Sequence, residues 1–120
     1  MTKKTLIIGA STEPSRYAYL AANKLVNHQH EIELLGLKSG IVAGKEITTE
    51  KENFSNIDTV TMYISPKHQS EYFDYIADLK PRRVIFNPGT ENHEFEEFLE
   101  KKGIEPIEAC TLVLLSTGQY

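Results

Sequence analysis

Short apolar runs alternate along this chain with segments whose apolar positions recur at helical spacing. Residues 5–9 form a continuous run that ends in glycine, the pattern of a strand buried on both faces. Ala18, Ala21, Ala22 and Leu25, with Val26 alongside, predict an amphipathic helix over residues 15–27. Residues 32–37 read as a second strand. Residues 38–56 are polar, contain glycine, and are only weakly patterned around Ile41-Val42 and Glu46-Ile47. That stretch predicts a long loop with at most a short element, the most mobile part of the chain.

Residues 57–64 set Val60, Met62 and Ile64 in alternation with Thr61 and Tyr63, which predicts a third strand. Ser65-Pro66 then supplies an N-cap and a first-turn proline for a helix whose apolar face is Tyr72, Phe73, Ile76 and Leu79, ended by Pro81. Arg83–Phe86 is the fourth strand and Asn87-Pro88-Gly89 a turn. Phe95, Phe98 and Leu99 mark another helix, closed by Gly103, and a short fifth strand follows at residues 104–108. The apolar tail, residues 109–115, fits a strand or a helix equally. This order predicts an α/β fold: a Rossmann-like, doubly wound three-layer sandwich around a mostly parallel five-stranded sheet.

The chain has 120 residues, enough for one domain spanning 1–120 that buries roughly two-thirds of its unfolded surface. With 40% hydrophobic and 25% charged residues it is composed as a globular protein and not as a disordered one. A formal net charge of -4 argues against nucleic acid as a partner, since phosphate backbones are held by clustered cations. Cys110 is the one cysteine, so no internal disulfide or cysteine-based metal set can form, and a reducing, cytoplasmic setting fits. No run has signal-peptide or membrane-spanning length, and no membrane partner is expected.

Parallel α/β sheets bind ligands outside the carboxyl ends of their strands, and that rule gathers scattered positions onto one rim. Strand one delivers Gly9, Ala10, Ser11 and Thr12, and strand two Gly36, Leu37 and Lys38. Strand three delivers Ser65, Pro66 and Lys67, and strand four Asn87, Pro88 and Gly89. Arg82 and Arg83 precede strand four and belong to the opposite rim. The small residues at 9–11 read either as a phosphate cradle at a helix start or as an ordinary strand-to-helix turn. Lys38, followed by no Asp or Glu within five residues, suits a phosphorylated ribose better than a bare one, unless it is a solvated loop lysine. Arg16 is placed to bridge phosphates and Tyr17 to flank a ring or an alkyl arm, although both are also ordinary surface residues. Ser65 is first of all a cap.

His28, His30, His68 and His93 lack the i,i+4 spacing and the nearby carboxylates of a metal set, so no metal is expected. Glu94, Glu96, Glu97 and Glu100 read as the wet face of a helix. Neither Ser11 nor Ser116 sits in a nucleophile elbow, and no catalytic machinery is assembled in the sequence. Cys110 reads as a small buried hydrophobe ahead of a reactive thiol.

Gly9-Ala10-Ser11 with Pro14-Ser15-Arg16-Tyr17, then Lys38, Ser65-Pro66, Asn87-Pro88-Gly89 and Cys110, each following its strand, resemble the small stand-alone CoA-binding proteins. That family is similar to the CoA-binding domain of the succinyl-CoA synthetase alpha subunit and of ADP-forming acyl-CoA synthetases. The resemblance covers essentially the whole chain. It implies that Gly9, Ala10 and Ser11 pass close to the CoA pyrophosphate, with Arg16 and Tyr17 flanking it. It further implies that Lys38 meets the phosphorylated ribose, Ser65 and Pro66 line the adenine side, and Asn87 and Gly89 approach the pantetheine. Cys110 would lie at the thiol end if it faces the rim.

Family members often carry Asn-Pro before the strand-two lysine, where this chain has Gly36-Leu37, and residues 41–56 are diverged. The synthetases' catalytic histidine and partner subunit lie outside the matching region, so ligase activity does not transfer. The expectation is a module that binds CoA or an acyl-CoA non-covalently, as a non-catalytic carrier, sensor or accessory unit. Two alternatives stand beside it: an enzyme using NADP or a related nucleotide, completed by oligomerisation, and a ligand-free Rossmann scaffold. A homodimer is compatible with each, since a small sheet has an edge to cover.

Overall fold

A computed structural model of the protein describes residues 2–120; Met1, counted in the expected 1–120 domain, lies outside them. Seven strands form one sheet: β1 (Thr5–Ile8), β2 (Ile32–Leu35), β3 (Ile41–Val42), β4 (Lys45–Thr48), β5 (Thr59–Met62), β6 (Arg83–Phe86) and β7 (Glu105–Glu108). Their order is β3-β4-β2-β1-β5-β6-β7, and every pairing is parallel except β3 with β4. The helices are α1 (Tyr17–Asn27), α2 (Phe73–Leu79), α3 (His93–Lys101) and α4 (Thr111–Ser116).

The two faces of the sheet follow from strand periodicity. Leu6, Ile8, Val60, Met62, Val84 and Phe86 point to the side covered by Ile76 of α2 and by Phe95 and Leu99 of α3. Ile7 and Leu34 point the other way, against Ala18, Ala22 and Leu25 of α1 and Leu115 of α4. The alanines let α1 lie close on β1 and β2, and Phe95 stacks on Phe73 at 4.1 Å between centroids. The apolar tail resolves as a helix. Thr111 opens α4 fully buried, its hydroxyl 2.8 Å from that of Thr61, so the helix completes the layer that α1 begins.

Two expectations need correction. The sheet has seven strands, not five, because residues 41–48 form a hairpin where a long loop is expected. Ala43 and Gly44 both have positive φ, 53° and 79°, which a two-residue type I′ turn requires, and β4 then pairs with β2 through Leu34 and Leu35. The helix expected directly after Ser65-Pro66 is replaced by two 3-10 turns, Pro66–His68 and Ser70–Tyr72, ahead of a shorter α2. Ser65 makes no side-chain cap bond. Instead Gln69, between the two turns, points inward and is completely buried.

Candidate functional site

The strand order reverses at β1, whose neighbours β2 and β5 connect to helices on opposite faces, and the carboxyl ends of β1, β2, β5 and β6 open there on a cleft of about 880 Å3. Its floor is kept bare by two glycines. Gly9 has φ +95°, and a Cβ on it would stand 2.9 Å from Ile64 Cγ2 and 3.0 Å from the Tyr63 carbonyl carbon. A Cβ on Gly36 would meet the Ala10 carbonyl oxygen at 2.5 Å. Strand ends thus approach one another as closely as backbone allows.

The donors of this cradle sit further along the loop than the sequence suggests. Gly9 and Ala10 both give their N–H groups to the Leu35 carbonyl, at 2.9 and 3.0 Å, locking β1 to β2. The next two N–H groups, on Ser11 and Thr12, find no acceptor among the described residues, and the Ser11 hydroxyl accepts from Glu13 N. At the start of α1 the Arg16 side chain makes no cap bond and the first turn carries no acidic residue. The N–H groups of Tyr17 and Ala18 likewise find no acceptor among the described residues. Four unpartnered backbone donors and the positive end of α1 thus lie on residues that line the cleft. Arg16 and Lys38 line the same cleft and are exposed; Glu13 and Glu71 are the acidic residues of the lining.

Of the residues the sequence singles out, Gly9, Ala10, Ser11, Arg16, Tyr17, Lys38, Ser65 and Gly89 line this cleft together. Pro66, Asn87 and Cys110 do not. Asn87 is buried and fully committed: its Nδ2 donates to Thr61 Oγ1 at 2.7 Å and to the Met62 carbonyl at 2.9 Å, and its Oδ1 accepts from Thr111 N at 2.8 Å. It ties β5, β6 and α4 together beneath the cleft. Gly89 faces the cleft, but its N–H donates to Glu91. Cys110 is half-buried ahead of α4, close enough to Tyr63 to affect its phenol. Arg82 and Arg83 lie on the far rim, as expected: Arg82 pairs with Asp58 at 3.2 Å, and Arg83 donates to Thr59 Oγ1 and the Tyr120 carbonyl.

The far wall contains residues that sequence reasoning passes over. Tyr63, Ile64, His68, Glu71, Tyr72 and Thr90 all line it, carried by the ends of β5 and β6 and by the 3-10 turns. Lys51 reaches over from the β4–β5 connection, 4.8 Å above the Tyr72 ring and 2.9 Å from the Glu71 carbonyl. Burial pushes the Tyr63 phenol well above its usual pKa, with the neighbouring Cys110 adding to the effect. Its buried hydroxyl has no partner of good geometry, although the Thr61 and Thr111 hydroxyls stand beside it. Away from the cleft, His93 meets Glu96 and Glu108, with one ligand atom of each within 4.8 Å of the others, so a histidine does have carboxylate neighbours. Glu108 comes from β7, fifteen positions after His93 and twelve after Glu96, outside the spacing of a local motif.

The sequence profile of the CoA binding domain family matches residues 3–116, and the chain belongs to that family. A crystal structure of an uncharacterized protein superposes with a TM-score of 0.98 at 54% identity, covering 100% of this chain and 99% of that one. A protein from Thermus thermophilus, 20% identical, superposes with a TM-score of 0.86 over 98% of this chain and 90% of its own. A hypothetical protein from Pyrococcus horikoshii OT3, 22% identical, does so with a TM-score of 0.88 over 96% and 82%. The last two share the fold. Among functionally curated proteins, none matches this chain. Among the described residues, no helix is long and apolar enough to cross a membrane.

Proposed function

We propose that this protein binds CoA or an acyl-CoA at the carboxyl edge of its sheet, as a non-catalytic carrier, sensor or accessory module in the cytoplasm. The observation that carries this reading is the uncapped start of α1, opening with Ser11 and Thr12 onto a cleft that also holds Arg16 and Lys38. Free backbone donors at a helix start favour a pyrophosphate, exposed Arg16 supplies its countercharge, and exposed Lys38 is a second cation for a further phosphate. In this reading the pyrophosphate lies over residues 11–18 and Lys38 meets the 3′-phosphate. Ser65 and Gly89 border the organic parts of the ligand on the opposite wall, where Ile64, Tyr63 and Tyr72 offer apolar surface. The Rossmann-like sheet, in one domain, acts as a rigid frame for these loops. The polar groups facing the cradle hold an anion more readily than they transform one, which supports binding without chemistry.

Thermal unfolding with CoA, acetyl-CoA, NAD and NADP tests the reading. CoA at 100 times its dissociation constant stabilises a binder by about 2.7 kcal/mol. A shift with CoA and acetyl-CoA above that with NAD supports the proposal; a shift confined to NADP, or no shift with any nucleotide, contradicts it.

A further inference from the structure

Gln69 is completely buried, in a segment whose neighbours His68, Ser70 and Glu71 are exposed. A buried carboxamide must satisfy two N–H donors and one oxygen, or it destabilises the fold. Here all are satisfied. Nε2 donates to the Ile64 carbonyl at 2.9 Å and to the Thr90 carbonyl at 2.8 Å, and Oε1 accepts from Asn92 Nδ2 at 3.1 Å. Ile64 and Thr90 are cleft residues on the loops after β5 and β6, and Asn92 caps α3 through its bond from Phe95 N. Meanwhile His68, Glu71 and Tyr72, on either side of Gln69, face the cleft from two 3-10 turns of three residues each. Turns so short have little stability of their own.

We propose that Gln69 is the positioning residue of the cleft: its carboxamide clamps the wall of 3-10 turns against the loop after β6, so the cleft has its binding width before a ligand enters. Its consequence for affinity rests on the CoA reading above. Neither Ile64 nor Thr90 offers a side chain to this clamp; both contribute carbonyls, so only a side chain with two donors joins them. A wall held in place beforehand spares the ligand the cost of ordering it.

The test compares Gln69→Met, which keeps length but deletes all three bonds, and Gln69→Glu, which keeps the acceptor and loses the donors. Amide hydrogen exchange and CoA titration are measured on each, at a temperature where the protein is folded. The proposal expects faster exchange confined to residues 63–72 and 88–92, with β1 and β2 unchanged. CoA affinity should fall about tenfold, the worth of one well-made hydrogen bond. The ratio of CoA to dephospho-CoA affinity should stay as in the wild type, because the phosphate end is untouched. Exchange that rises across every strand, a variant that fails to fold, or unchanged local exchange overturns the assignment and leaves Gln69 a residue of general stability. If the wild type binds no CoA, the functional reading fails, and the locality of the exchange change alone decides the role of Gln69.

Discussion

The α-carbon of Gly36 faces the carbonyl oxygen of Ala10 so closely that a Cβ there would lie 2.5 Å from it, with Ile47 Cγ2 at 3.1 Å on the other side. Both obstacles are held in place, one by the β1 loop and one by β4. Gly36→Ala must therefore push the Ser11–Thr12 cradle out of line, and it should cost about 1–3 kcal/mol by overpacking. Urea unfolding measures the loss. Stability within 0.5 kcal/mol of the wild type, roughly the spread of harmless surface changes, would mean the loop yields freely.

Tyr63 presents the opposite case, a buried hydroxyl without a well-placed partner. Removing an unsatisfied polar atom while keeping the ring should be neutral or stabilising, by up to about 1 kcal/mol. Tyr63→Phe in thermal unfolding checks this, and a clear loss of stability would show that the Thr61 or Thr111 hydroxyl bonds it after all.

His30 makes the amino end of the sheet sensitive to acid. Its Nδ1 accepts from Lys3 N at 2.9 Å and its ring meets Tyr120 at 4.9 Å. Burial, followed by the charge of Lys3, lowers its pKa from the ordinary 6.5. The unfolded chain then takes up the proton more readily than the folded one, so this contribution is complete above pH 6.5 and is lost as pH falls toward the lowered value. His30→Ala should flatten the fall in unfolding free energy between about pH 7 and pH 5. An unchanged slope would place the acid sensitivity elsewhere.

Glu96 has the reverse sign. Desolvation, and then the hydrogen bond that the protonated Glu96 carboxyl donates to Glu108, raise the Glu96 pKa above 4.5, so the folded state holds a proton more tightly and loses stability as pH rises through the raised value. Glu108→Gln removes a charge and offers Glu96 an amide N–H donor in its place. It should raise the unfolding midpoint at pH 7, with the difference closing below pH 4.5 as the Glu96 carboxyl protonates. An equal midpoint at pH 7 would show that solvent already screens the pair.

Much of this arrangement is legible in the sequence because local rules were obeyed locally. Strand periodicity locates β1, β5 and β6, and the carboxyl-edge rule brings Gly9, Ser11, Arg16, Lys38 and Ser65 to one cleft. What is missed depends on partners far along the chain. The weak pattern at Ile41-Val42 becomes a strand only because β4 finds an open edge on β2. Ser65 makes no cap bond where a 3-10 turn replaces the expected helix, and Gln69, four positions on, is the buried side chain of that segment. Asn87, placed by its turn on the ligand rim, points inward because Thr61 and Thr111 wait there with complementary groups. Gly9 and Ala10 are right for a cradle in shape, yet their N–H groups are already taken by Leu35.

In the proposed reading Lys38 selects the phosphorylated ribose, and isothermal titration of CoA and 3′-dephospho-CoA into the wild type and Lys38→Ala tests that role. CoA should bind saturably, with affinity lower by roughly tenfold for dephospho-CoA, the scale of one charge-assisted contact. In Lys38→Ala the two ligands should bind alike, while stability changes by less than about 0.5 kcal/mol, as expected of an exposed side chain. No heat from CoA, or equal affinity for both ligands in the wild type, would contradict that reading.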